Sequence, residues 1–89
     1  MKAVISVVGK DRPGILAFVA NQCADRNINI EDVTQKILQD MFTMVMIVNI
    51  PEDLANFGRL TEEIEQAGEE QGLKIHLMHE DIFNAMHTI

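Results

Sequence analysis

Residues 28–50 read INIEDVTQKILQDMFTMVMIVNI, and their periodicity decides the fold. FTMVMIVNI, residues 42–50, is the strongest strand in the chain. One of its faces carries Phe42, Met44, Met46, Val48 and Ile50, the other Thr43, Val45, Ile47 and Asn49. Both are largely apolar, so both are expected to be covered. The preceding run, INIEDVTQKIL, alternates but changes phase, with Ile28 and Ile30 on one parity and Val33 and Ile37 on the other. A period of two accommodates that only with one extra residue, which predicts a bulge or bend near Glu31–Asp32. Gln39-Asp40 is then the hairpin connection, although it lacks the glycine of the strongest turns.

Upstream, AVISVV at residues 3–8 is a short, largely β-branched run bounded by Gly9, the pattern of a buried strand. Pro13 suits the first turn of a helix, where its fixed φ fits and no N–H is needed. Ile15, Leu16, Val19, Ala20, Cys23 and Ala24 then recur at three and four residues, which predicts a helix over 13–26. Asn27 can end it, because asparagine tolerates a left-handed backbone. Downstream, Pro51 stops the strong strand. Leu54, Phe57, Leu60, Ile64 and Ala67 keep a helical period, and Glu62, Glu63, Glu65, Glu69 and Glu70 fill a solvated face up to Gly72. LKIHLMH, residues 73–79, alternates with Leu73, Ile75 and Leu77 inward. A last short helix, Asp81 to Thr88, presents Ile82, Phe83, Met86 and Ile89.

The order β-α-β-β-α-β plus a terminal helix is the ferredoxin-like arrangement, an α+β fold with a four-stranded antiparallel sheet and two helices on one face. Its other face is left open. The first strand puts Ala3, Ile5 and Val7 against Val4 and Val8, so apolar residues lie on that face too. Such a surface usually marks an interface and implies a homo-oligomer, most simply a two-fold dimer, with a tetramer also open.

Composition narrows the function. The 89 residues are expected to form one domain over 1–89, with a marginal core, and 47% apolar content argues against disorder. A net charge of −7, no Trp, no Tyr and four Phe disfavour nucleic acid as a partner. One cysteine, Cys23, precludes an intrachain disulfide, and its place on the apolar helix face makes it a small core residue. The N-terminus reads as a strand rather than a leader, and no apolar run approaches the ~20 residues that span a bilayer. These features fit a cytoplasmic protein with no membrane partner. His76 and His79, three apart on a strand, point to opposite faces, which opposes a shared metal. No Ser-His-Asp, P-loop or HExxH pattern is present, so the chain reads as neither an enzyme nor a cofactor protein.

The fold hosts many functions, and local residues reject several. An RNA-recognition module would need aromatic and basic residues on the central strands, and a soft-metal chaperone paired thiolates in the first loop; neither pattern occurs here. An acylphosphatase-like hydrolase is the weaker alternative, since Pro13 removes a phosphate-binding N–H. What remains distinctive is Gly9-Lys10-Asp11-Arg12-Pro13-Gly14-Ile15 with Asn29-Ile30 after the helix. A strand ending in that loop, then a helix, then Asn-Ile opening the second strand resembles the ACT domain. Met1 to Ala3, Val7 to Asp11, Asn29-Ile30 and Phe42 to Met44 are similar to the small stand-alone ACT proteins of the UPF0237 family.

The loop's chemistry suits a zwitterion. A helix N-terminus attracts a carboxylate, Asp11 can hold an α-ammonium, and Gly14 leaves the backbone open to approach. Backbone N–H groups at Gly14, Ile15 and Leu16 are expected to face the loop. The resemblance implies that a small ligand, an amino acid in many relatives, sits between this loop and the start of strand two across a dimer interface. The implied ligand-binding residues are Asp11, Arg12, Pro13, Gly14, Ile15, Leu16, Asn29 and Ile30, with Arg12 either on a ligand carboxylate or in solvent. The loop's residues also admit a purely structural reading, with Asp11 capping the helix and Gly14 allowing close packing. In the alternative, the chain binds no ligand and is an interaction module regulating a partner enzyme or transcription factor.

Overall fold

The computed structural model describes residues 1–51 and 57–87. The elements are β1 (Lys2–Lys10), α1 (Ile15–Ala24), β2 (Asn29–Leu38), β3 (Met41–Asn49), α2 (Phe57–Glu70), β4 (Lys74–His79) and α3 (Glu80–His87). The sheet order is β2-β3-β1-β4, and every neighbouring pair is antiparallel. This is the ferredoxin-like topology with a C-terminal helix. The expectation that Leu54 joins the second helix lies outside the described residues, as do those for Thr88, Ile89 and the side chain of Met86.

The bulge falls where the phase changes. Ile30 pairs with Val48 and Asp32 with Ile47, so Glu31 is the extra residue. It lets Ile30 and Val33, of opposite parity, both lie on the face that carries α1 and α2. Beneath those helices, Ala3, Ile5, Val7, Phe42, Met44, Met46, Val48, Ile75 and Leu77 meet Ile15, Val19, Cys23, Leu60 and Ile64 in one core.

Both long helices end on a left-handed residue. Asn27 has φ 57°, its N–H bonds the Ala24 carbonyl at 3.2 Å, and the Ile28 N–H bonds that of Cys23 at 2.9 Å. Gly72, φ 74°, does the same for α2, with Gly72 N–H to Glu69 at 3.0 Å and Leu73 N–H to Gly68 at 2.8 Å. These paired bonds satisfy carbonyls that the last helical turn would leave free. Gly68 has a second role, since a Cβ there would lie 2.6 Å from Ile75; it brings α2 close to β4.

Two sequence expectations need correction. The first helix starts at Ile15, two residues later than Pro13, because Gly14 takes φ 91° and breaks the helical backbone at that point. Gly9 does not bound the first strand. The strand continues to Lys10, and a Cβ on Gly9 would lie 2.6 Å from Leu73 Cδ2, so the residue is small to admit Leu73.

The second sheet face is only partly open. Among its residues Val4 is 3% exposed, whereas Val8, Val45 and Ile47 are each 38% exposed. α3 packs against β1 and β4, which accounts for the burial of Val4.

Candidate functional site

The loop between β1 and α1 is held from two sides. The Asp11 N–H donates to the Asp40 carbonyl at 2.7 Å, tying the loop to the β2–β3 turn. The Arg12 guanidinium donates to the Gln71 carbonyl at 2.8 Å, tying it to the end of α2. Arg12 therefore has a structural partner, which the sequence alone did not suggest. Between these anchors Pro13 and Gly14 form a turn.

Gly14 is the residue before α1, and no side chain caps that helix. Asp11 is thus not a helix cap. The Gly14 carbonyl accepts the first helical bond from Phe18 N–H at 2.9 Å. The amides of Ile15, Leu16 and Ala17 precede it in the first turn, where no intrahelical acceptor exists, and they carry the positive end of the helix dipole. A Cβ on Gly14 would meet nothing within 4 Å, so it is the positive φ that demands glycine there. The Asp11 carboxylate makes no hydrogen bond or ion pair with a described residue. A carboxylate and a row of amide donors thus share one exposed loop. Ile15 as a whole residue is 1% exposed and belongs to the core, whereas Leu16 beside it is 41% exposed.

Asn29 and Ile30 are elsewhere. Asn29 pairs with Asn49 beside Lys2, whereas the loop follows Lys10, paired with Met41. The two halves of the expected site stand at opposite ends of the sheet, about 25 Å apart at strand rise. One chain does not bring them together. Asn29's surroundings are polar: Asn49 bonds the Met1 ammonium at 3.1 Å and Glu31 at 3.3 Å, and Lys2 pairs with Glu31 at 3.7 Å.

On the helix side, the edge between these halves carries Val33 and Ile37 with Gln35 between them. Val33 and Ile37 are 36% and 51% exposed although they pair with the core residues Met46 and Phe42. Arg26 bonds Gln22 and reaches Glu63 of α2 at 3.5 Å, so the Gln22 flank of α1 faces α2. Leu16, on the other flank and 41% exposed, faces the β2 edge. Val33 and Ile37 were visible in the sequence as a phase-shifted pair; that their side of β2 stays bare was not.

The remaining candidates are occupied or inert. His76 and His79 pair with Ser6 and Ala3 and so belong to opposite faces. His76 Nδ1 is 3.7 Å from Glu65, and His79 Nδ1 accepts the Asp81 N–H at 3.1 Å. No cluster of three metal-binding side chains occurs among the described residues. Burial pushes the Cys23 thiol above its ordinary 9.0, an effect that Arg26 partly offsets. No helix among the described residues is long and apolar enough to cross a membrane.

Residues 2–78 match the ACT domain family. The chain is 46% identical over 88 residues to a UPF0237 protein of Methanopyrus kandleri, covering 99% of this chain and 98% of that protein. It is 46% identical over 89 residues to one of Listeria innocua, with both chains covered completely. Among solved structures, an ACT domain protein from Streptococcus pneumoniae superposes with a TM-score of 0.83 at 39% identity, covering 98% of each chain. Loop, sheet order and sequence agree: the chain belongs to the ACT domain family of regulatory proteins, in its UPF0237 group.

Proposed function

We propose that this protein is a cytoplasmic regulator, without a reaction of its own, that binds a free amino acid between two copies of the chain. The observation that carries this reading is the 2.7 Å bond from Asp11 N–H to the Asp40 carbonyl, which fixes the glycine loop to the tip of the β2–β3 hairpin. β2 is an edge strand running from Asn29 at one end to that tip at the other. A two-fold axis through its middle pairs it antiparallel with its own copy. Asn29 of one copy then comes beside the hairpin tip, and so the loop, of the other. Leu16, Val33 and Ile37 supply the apolar strip such a contact needs.

In that arrangement the α-carboxylate takes the free amides at the start of α1, with Leu16 the exposed residue there, and the Asp11 carboxylate takes the ammonium. Asn29 and the Ile30 backbone, from the second copy, close the site with an amide that both donates and accepts. Pro13 and Gly14 shape the turn, and Arg12 holds it to α2 through Gln71. Because the ligand touches both copies, it stabilises one relative placement over another, and a partner can read that change.

The test is thermal melting against each of the twenty amino acids at millimolar concentration. A ligand at a hundred times its Kd stabilises by about 2.7 kcal/mol, several degrees for a domain this small. A shift from one or two amino acids, abolished by Asp11→Ala, is expected; no shift from any of them refutes the reading.

A further inference from the structure

We propose that the sheet face turned away from α1 and α2 docks an acidic, amphipathic segment of another protein. The register places every lysine of the chain on this face. Lys36, Thr43, Val8 and Lys74 form one row across the four strands, and Leu38, Met41 and Lys10 the next. On the other side of the first row stand Thr34, Val45, Ser6 and His76, then Asp32, Ile47, Val4 and Met78. Lys2, opposite Asn49, completes the set.

The centre of the face is apolar and uncovered: Val8, Val45 and Ile47 are each 38% exposed, and Leu38 and Met41 53% and 47%. Of the lysines, Lys2 is paired with Glu31 at 3.7 Å, but Lys10, Lys36 and Lys74 make no ion pair among the described residues. Asp32 is the acid within these rows, and it spends one oxygen on the Val33 N–H at 2.9 Å. An apolar centre rimmed by three unpaired ammonium groups, on a chain of net charge −7, is a concentrated positive patch. Exposed lysine on a bare apolar sheet also discourages the wrong partners.

Charge decides the occupant. A second copy laid face to face would set Lys10, Lys36 and Lys74 against the same three residues, a costly juxtaposition. A nucleic acid would find phosphate contacts but no Phe, Tyr or Trp ring on these rows to stack its bases. An acidic segment with an apolar stripe satisfies both components. The chain's own α3 is the precedent: it opens with Glu80 and Asp81 and packs against β1 and β4 at the Val4 end. The vacant area lies beside it.

The experiment uses the full chain and three probes followed by fluorescence anisotropy: a helical peptide of leucine and glutamate, the same peptide with lysine for glutamate, and a single-stranded oligonucleotide. Saturable binding of the acidic peptide is expected, weakening with salt. The double change Lys36→Glu, Lys74→Glu reverses two exposed charges without touching the core. It should weaken binding roughly tenfold, about what two lost exposed pairs contribute. Glu69→Lys on α2 should leave it unchanged. Equal binding of the lysine peptide, binding of the oligonucleotide alone, or no saturable binding of the acidic peptide overturns the proposal. So does a fall in oligomeric state on Val45→Asp in sedimentation, which would make the face a contact between copies.

Discussion

Gly14 illustrates how one residue can be required by the backbone alone. At φ 91° with open space around its Cβ position, it pays nothing for the turn that an alanine could take only under strain. Gly14→Ala should cost about 1–2 kcal/mol in urea unfolding, and Gly14→Asn less. The glycines of α2 test the opposite cause. A Cβ on Gly68 would lie 2.6 Å from Ile75, whereas one on Gly58 meets nothing within 4 Å. Gly68→Ala should therefore destabilise by about 1–3 kcal/mol through overpacking. Gly58→Ala should be neutral or stabilise by up to about 1 kcal/mol. Thermal melts of the pair would separate packing from propensity. Cys23 adds a pH dependence. Burial, partly offset by Arg26, raises its thiol, so the folded chain holds that proton more tightly than the unfolded one. The stability this contributes is intact below 9.0 and is lost as pH rises above it. Melting in alkaline buffer should fall more steeply for the native chain than for Cys23→Ala.

At the scale of elements, β2 is the strand on which the proposed assembly depends. Its helix-side residues Val33 and Ile37 are 36% and 51% exposed at a sheet edge. Val33→Lys with Ile37→Lys should leave the monomer's core untouched and convert a dimer to monomers in equilibrium sedimentation. A dimer that persists would place the contact elsewhere. This strand also shows what a sequence discloses. Its bulge was legible because Ile30 and Val33 cannot share a face at period two without an extra residue, and Glu31 is that residue. The left-handed end of α1 at Asn27 was legible from residue chemistry. The start of α1 was not: Pro13 favours a first helical turn, but Gly14 overrides it with a positive φ that no periodicity reveals. The role of Gly9 was hidden for another reason, since Leu73, the side chain it admits, is distant in sequence. The same holds for Arg12 and its bond to the Gln71 carbonyl. The loop's residue types could be read, but the 25 Å or so between loop and Asn29 along β1 could not, because it depends on strand order.

Across the whole molecule the charges separate into layers. The glutamates of α2 lie on one side of the sheet, and the lysines of β1, β2 and β4 on the other. A dimer built through β2 would extend both layers side by side, leaving the lysine face free for a partner while the ligand sits at the seam. The two proposals therefore concern different surfaces, and Lys36→Glu with Lys74→Glu should leave any amino-acid-induced melting shift in place. The shared site makes a sharper demand. Asp11→Ala and Asn29→Ala should each abolish ligand binding, because each removes one half of both sites in the dimer. When the two variants are unfolded together and refolded as a mixture, a mixed dimer carries one site with both halves intact. Calorimetric titration with the amino acid selected by melting should then recover about a quarter of the native number of sites, at native affinity, as random pairing of subunits dictates. Recovery of none, with mixed dimers demonstrated by mass, would mean that the loop and Asn29 do not meet across the interface.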